Sequence, residues 1–331
     1  MKARKTFSPL RRLSLVGLGL LLASAQPAAL AQSESTGTIR FVLPFGPGGS
    51  TDTLLRLLAD GVSGILNAPV VVENKPGASG FIAAQYVARS APDGRTVFFG
   101  SASTLVNNIG MFKQLPYDPV KDFTPVGLIG KQSLVMFARN DAPFKTMKEM
   151  VAYAKSNPGV INRGSPGAGT LNNLVSLQME KQYGFTTTAI PHTGDVQSVT
   201  AMMGGNLDIS LGGGPTVMSY ISSGKLRGLA VMGESRLKAL PDVPTIDEAG
   251  FEDSHAVAWY ALVVPSATPE DRVVKLNAAI NEVMARPDVA NRIRELGIEP
   301  ATSTPQEAAQ LIDAERARWL PIIRESGIQP Q

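Results

Sequence analysis

Arg40-Phe-Val-Leu-Pro-Phe-Gly-Pro-Gly-Gly-Ser-Thr-Asp-Thr-Leu-Leu-Arg-Leu-Leu-Ala-Asp60 holds a strand, a glycine-rich turn and a helix start in one run. Arg40 to Phe45 is apolar and short, as a buried strand is. Leu54, Leu55, Leu58, Val62 and Ile65 then recur at helical spacing, which predicts a helix over 51–66 with one face buried. The turn between them carries three glycines, which let the backbone take positive φ and come close to another molecule.

The same alternation continues along the chain. Val70 to Val72 is β-branched and reads as a strand, 80–90 as a helix and Thr96 to Phe99 as a strand. A Pro-rich connection over 115–125 interrupts the pattern, and Leu134 to Ala138 restarts it. Strands are expected at 160–164, 186–191, 208–211, 226–232 and 256–264, with helices at 170–183, 195–204 and 215–223. Thr146-Met-Lys-Glu149 reads as a capping box. Thr268-Pro-Glu-Asp271 and Thr304-Pro-Gln-Glu307 each place Thr at an N-cap and Pro at the first helical position. Alternating strands and helices imply parallel sheets covered by helices. A chain of 331 residues exceeds one usual core, so the expected fold class is α/β with two lobes, each a mostly parallel sheet flanked by helices.

Five loops share one character: 45–52, 75–80, 100–104, 164–170 and 192–195. Each follows a strand, is rich in Gly and hydroxyl residues and leads towards a helix. Ligands of open parallel sheets bind beyond the carboxyl ends of strands. Helix N-termini there offer free N–H groups and partial positive charge. Ser50, Thr51, Ser101, Ser103 and Thr170 add hydroxyl donors. Such a set suits a carboxylate without the desolvation cost of a buried Arg. The competing reading is that Gly and Ser only make the turns of an α/β fold.

Lys2, Arg4, Lys5, Arg11 and Arg12 precede an apolar stretch from Leu13 to Ala25, and Ala29-Leu30-Ala31 follows. This order predicts an export signal over 1–31, cleaved after Ala31. Arg11-Arg12 leaves general or twin-arginine export open. The stretch is shorter than the roughly 20 residues that span a bilayer. Taking these five basic residues from the chain's 31 leaves 26 against 28 acidic ones. That balance, without a basic run, gives no footprint for nucleic acid. There is no Cys, which excludes disulfides, thiolate metal sites and a lipid anchor on Cys.

Enzyme readings are weaker. Gly46-x-Gly48-x-x-Thr51 lacks the third Gly and the acidic partner of a dinucleotide site, and no P-loop Lys follows. His192 and His255 are the only histidines. No Gly-x-Ser-x-Gly elbow serves them, His255 sits in what reads as a solvated turn, and no metal-ligand cluster is visible. Trp259, Tyr260 and Trp319 read as core packing. No cofactor is expected.

Pro44-Phe-x-Pro-Gly-Gly-Ser-Thr-Asp52, Val72-Glu-Asn-Lys-Pro-Gly-Ala78, Ala91-Pro-Asp-Gly94, Pro244-Thr-Ile-Asp-Glu-Ala-Gly250 and Trp259-Tyr260 with Pro265 and Thr268-Pro269 occur in that order. Together they resemble the Bug family, the TctC-like substrate-binding proteins of tripartite tricarboxylate transporters, over nearly all of 38–331. The resemblance implies a periplasmic, non-enzymatic, two-lobed Venus-flytrap protein that closes on a small organic carboxylate and hands it to membrane subunits. The expected lobes are 32–133 with 254–331, and 134–253. The implied ligand-binding set is Phe45, Gly48, Gly49, Ser50, Thr51, Asp52, Ala78, Ser79, Ser101, Ser103, Gly167, Gly169, Thr170, Asn173, His192 and Gly212. A monomer is expected. A sensor module for a signalling partner and a secreted α/β hydrolytic enzyme are the alternatives.

Three departures from the family pattern fall in the middle of the chain. Asn173-Leu174 stands where His before Leu is common, His192-Thr193-Gly194 where Tyr-Lys-Gly is common, and Leu211-Gly212-Gly213-Gly214 lacks the acidic residue often found after that strand. They favour a ligand without a free amine and larger than a C4 acid.

Overall fold

The computed structural model describes residues 37–166, 170–192, 195–252, 254–325 and Pro330. The expected export signal, 1–31, lies outside them. The elements are β1 Ile39–Leu43, α1 Ser50–Leu66, β2 Val70–Asn74, α2 Phe81–Ala88, β3 Thr96–Ser101, a π-helical turn Ser103–Asn107 running into α3 Asn108–Met111, and β4 Phe123–Ser133. Then come β5 Val135–Arg139, α4 Met147–Ser156, β6 Asn162–Ser165, α5 Leu171–Tyr183, β7 Thr188–Pro191, α6 Asp195–Met203, β8 Ile209–Gly212, α7 Pro215–Ser222 and β9 Leu226–Val231. The chain returns through β10 Val257–Pro265, α8 Glu270–Met284, α9 Pro287–Glu295 and α10 Pro305–Glu325.

Two five-stranded sheets result, ordered β2-β1-β3-β10-β4 and β7-β6-β8-β5-β9. In each, four strands run one way and one runs against them: β10 in the first sheet, β5 in the second. The sheets are therefore mixed, although most strands share one direction, and helices flank both. This is a two-lobed α/β fold. One apolar cluster runs continuously from Val42 and Phe98 through Leu134 and Ala256 to Met136 and Leu229. A second fills the opposite face of the first sheet, where Leu54, Leu55, Leu58 and Val62 of α1 meet Ile280 and Val283 of α8.

Strand direction decides where the loops go. β4 ends at Ser133 and β5 begins at Val135, with Leu134 alone between them. Ser133 lies on the end of its sheet that also holds the carboxyl ends of β1, β2 and β3. Val135 pairs with Gly212 and Val231, the carboxyl ends of β8 and β9. The crossing thus joins the carboxyl edge of one sheet to the carboxyl edge of the other. Three backbone bonds close it: Leu134 N–H to Ala256 O (3.0 Å), Ala256 N–H to Met232 O (2.8 Å) and Met232 N–H to Leu134 O (2.8 Å).

Several sequence readings need correction. β4 starts inside the Pro-rich connection and went unread. Its Pro125 is tolerated because β4 is an edge strand. Its Gly127 and Gly130 mark close approaches, since a Cβ there would lie 2.6 Å from Asn277 Nδ2 and from Ile298 Cγ2. Thr268 is not an N-cap. Pro269 holds that position with extended ψ, and the Thr268 hydroxyl donates to Pro265 O at 2.7 Å. Thr304 does cap α10: its Oγ1 accepts from Glu307 N–H (3.2 Å), and Glu307 Oε2 accepts from Thr304 N–H (2.8 Å). Thr146 accepts from Glu149 N–H (3.2 Å), while the Glu149 carboxylate turns to Lys145 N–H instead of the cap residue (2.7 Å).

The three aromatic residues read as packing are buried. Trp259 and Trp319 also share a polar partner, both indole N–H groups donating to Glu315 Oε2 at 3.0 and 3.1 Å. Trp319 is 1% exposed and joins α10 to the main core. Replacing it by Ala is expected to cost roughly 3–5 kcal/mol, read from urea unfolding of the otherwise intact chain.

Candidate functional site

The turn after β1 is held by one carboxylate. Asp52 is in the first turn of α1 and 4% exposed. It accepts from Gly48 N–H (3.0 Å), Arg56 Nε–H and Nη2–H (3.0 Å each) and Asn74 Nδ2–H (2.9 Å). Asn74, from the end of β2, also donates to Phe45 O at 3.1 Å. Gly48 sits at φ +88, a conformation natural to glycine. The Arg56 hydrogen bond, with those from Gly48 and Asn74, outweighs burial and holds the Asp52 pKa down at about 2. The N-cap, Gly49, has no side-chain cap. The N–H groups of Gly49, Ser50 and Thr51 take no partner among the described residues. They form a helix N-terminus with its positive end open. Asp52 itself faces the turn it orders.

The next two loops are fastened to each other. Ser79 has φ +53, strained for a residue with a Cβ, and Gly80 has φ +87 with its Cα packed on Thr104. Of Ala78 only the backbone is described. Asn108 Nδ2 donates to Ser79 O (3.2 Å) and to Tyr117 Oη (3.0 Å), and the Tyr117 hydroxyl donates to Thr104 O (2.7 Å). Burial pushes the Tyr117 pKa up to about 12. Ser101 ends β3 with its hydroxyl buried and taking no partner among the described residues. Ser103 opens the π-helical turn, half-buried. Phe45 is 42% exposed and meets Phe99 edge-on at 6.2 Å.

In the second lobe the candidate residues sit at the carboxyl ends of β6, β7 and β8. Thr170 is the N-cap of α5, and its Oγ1 accepts from Asn173 N–H at 3.4 Å. Gly167 and Gly169 lie outside the described residues. Asn173 Oδ1 accepts from Arg163 Nη1–H and from Ser165 Oγ–H, 3.2 Å each. Arg163 is 2% exposed and also reaches Glu180 (3.3 Å) and Thr187 (3.0 Å). Burial lowers its pKa, and Glu180 opposes that. His192 follows β7 and packs over Gly164. Gly212 ends β8 beside Val135.

The strand ends therefore bring these described candidates to the joined edges of the two sheets. Sequence reading missed the residues that hold them: Asn74, Arg56, Asn108, Tyr117 and Arg163. Only Arg56 carries a local signal, its i,i+4 spacing from Asp52; the partners of Asn74, Asn108, Tyr117 and Arg163 lie nine or more positions away along the chain. His255 Nε2 faces Asp247 Oδ2 at 3.0 Å. No group of His, Asp and Glu able to hold a metal occurs among the described residues. No described helix is long and apolar enough to cross a membrane.

Comparison with known proteins decides the family. Residues 54–328 match the model of the tripartite tricarboxylate transporter family receptor. The chain belongs to that family. A UPF0065 protein of Bordetella pertussis is 34% identical over 99% of this chain and all of its own length. A Rhodopseudomonas palustris protein solved with adipate, Rpa4515, superposes with a TM-score of 0.79 at 29% identity, over 90% of this chain and 100% of that one. MatC of the same organism, with bound malate, gives 0.75 at 32%, over 87% and 99%. The chain is thus a receptor of a solute-binding family and not an enzyme. The resemblance seen in the sequence motifs and the two-lobed fold both hold.

Asp52→Ala is expected to cost this receptor about 1–2 kcal/mol at pH 7, reduced from the full shift because Arg56 is half exposed. A carboxylate with a depressed folded pKa stabilises above its unfolded value, 3.8, and loses that as pH falls towards 2. Urea midpoints of the two proteins should therefore converge between pH 5 and pH 2.

Proposed function

We propose that this receptor captures a small organic carboxylate between its lobes and delivers it to the membrane subunits of a tripartite tricarboxylate-type transporter. The observation that carries the reading is the open N-terminus of α1, preorganised by Asp52 at the edge where both sheets present their loops. Three backbone N–H groups and a partial positive charge match one carboxylate. Ser101 Oγ, buried without a partner among the described residues, is suited to donate to the same ligand. Adipate and malate, bound by the two similar proteins, are both dicarboxylates.

The far end of the ligand is set by Asn173. Both groups on its Oδ1 are donors, so the amide cannot be turned, and its other edge is the N–H₂. The proposed ligand class is a dicarboxylate with no free amine, as adipate and malate are. The bound state is the closed one, selected because the ligand touches both lobes. In this reading residues 1–31 are removed on export to the periplasm. The lobes are 32–133 with 254–331, and 134–253, since β4 ends at Ser133 and β5 opens at Val135. The receptor works as a monomer.

A thermal-shift screen of refolded, ligand-free protein against mono-, di- and tricarboxylates and amino acids tests the reading. A dicarboxylate at a hundred times its Kd should add about 2.7 kcal/mol and raise the Tm by roughly 5 °C. A shift with amino acids alone, or with no acid at all, would contradict it. Asn173→Asp replaces the donor edge by an acceptor, and calorimetry should show dicarboxylate affinity about tenfold weaker or worse. An unchanged Kd would remove Asn173 from the site.

A further inference from the structure

Gln132 stands two residues before the crossing, on β4, and its side chain reaches both lobes. Nε2 donates to Gly213 O at 2.8 Å, and Oε1 accepts from the Tyr260 hydroxyl at 2.9 Å. A carbonyl only accepts, which fixes the amide's orientation. Gly213 follows β8 and precedes Gly214, the N-cap of α7, so its carbonyl moves with the second sheet. Tyr260 belongs to the first sheet, where it pairs with Ser101 and packs on Phe99 at 5.2 Å. Phe99 in turn meets Phe45 of the ligand-facing turn.

The fit around this bond is close. A Cβ at Gly213 would lie 3.0 Å from Leu134 Cδ2 and 3.2 Å from Ser133 O. A Cβ at Gly297, which has φ +72 and follows α9, would lie 2.6 Å from Met218 Cε of α7 and 3.4 Å from Gly213 O. Segments of the two lobes therefore touch at Gly213, and Gln132 supplies a side-chain hydrogen bond between them there. On the second lobe, Asn172 of α5 donates to Leu211 O, which ties α5 to the end of β8.

We propose that the Gln132 amide is the closure tie of this receptor, a positioning residue that fastens the second lobe's ligand loop to the first lobe when the cleft shuts. The proposal rests on the receptor reading above. Gln132 and Gly213 belong to different lobes, so a change in the angle between the lobes strains this bond, and the bond favours the arrangement in which it forms. It contributes to ligand affinity without touching ligand. It also links Phe45, through Phe99 and Tyr260, to the loop at Gly212.

Gln132→Glu keeps an acceptor for Tyr260 and sets a carboxylate against the Gly213 carbonyl. Gln132→Met removes both bonds and keeps the length. The chain has no Cys, so Asp60→Cys on α1 and Ala152→Cys on α4, both exposed, can carry a pair of spin labels without interference. Distances between the labels should lengthen or broaden in both variants relative to the parent, with the larger change for Gln132→Glu. Dicarboxylate Kd should weaken about 2- to 10-fold for Gln132→Met and at least tenfold for Gln132→Glu, mainly through faster release. Ligand-free melting should change little. Distance distributions that coincide in all three proteins, with any loss confined to ligand-free melting, would make Gln132 merely structural and overturn the proposal. The distances need no ligand. A carboxylate panel that fails to bind therefore counts against the receptor reading, and the label distances still decide the tie.

Discussion

Everything in this molecule follows from the single residue between β4 and β5. With only Leu134 to make the crossing, the carboxyl end of one sheet must abut the carboxyl end of the other. All loops that follow parallel strands then gather on one line, with helix N-termini behind them. The triangle of backbone bonds among Leu134, Met232 and Ala256 lets three chain segments share that line with their polar groups satisfied. A pair of sheets joined through opposite edges would have placed the same loops at remote ends of the protein.

The proposed site is built from neutral donors ordered by charges that do not enter it. Asp52 and Arg56 neutralise each other while fixing the turn at Gly48, and Arg163 and Glu180 do the same beneath Asn173. The proposed ligand side keeps backbone N–H groups, hydroxyls and an amide. A carboxylate entering such a site trades water for fixed dipoles without first breaking an ion pair. Ser79, held in a left-handed conformation by Asn108 and Tyr117, shows that the protein spends strain to keep a loop in place there.

Much of this was legible in the sequence, and the gaps have physical causes. Strong periodicity exposed α1, since Leu54, Leu55, Leu58 and Val62 are all buried. The glycine-rich turns were visible because positive φ at Gly48 and Gly80 demands glycine. β4 was hidden because Pro125, Gly127 and Gly130 imitate a loop. An edge position and two close approaches explain them, and neither is a local property. Apart from Arg56, the supporting residues were hidden for the same reason. Asn74 lies 22 positions from Asp52, and Tyr117 lies 13 from Thr104, so their partnerships exist only once the sheet is formed. Gln132 was equally silent, because its acceptor is 81 residues away in the other lobe.

The central claim is that a carboxylate is gripped at the α1 N-terminus between the two sheets. A crystal structure grown with a saturating dicarboxylate tests it most directly. The account predicts one carboxylate within hydrogen-bond distance of the Gly49, Ser50 and Thr51 N–H groups, directly or through one water, and the other reaching towards Asn173. A carboxylate bound elsewhere, with those N–H groups facing only bulk solvent, would contradict it.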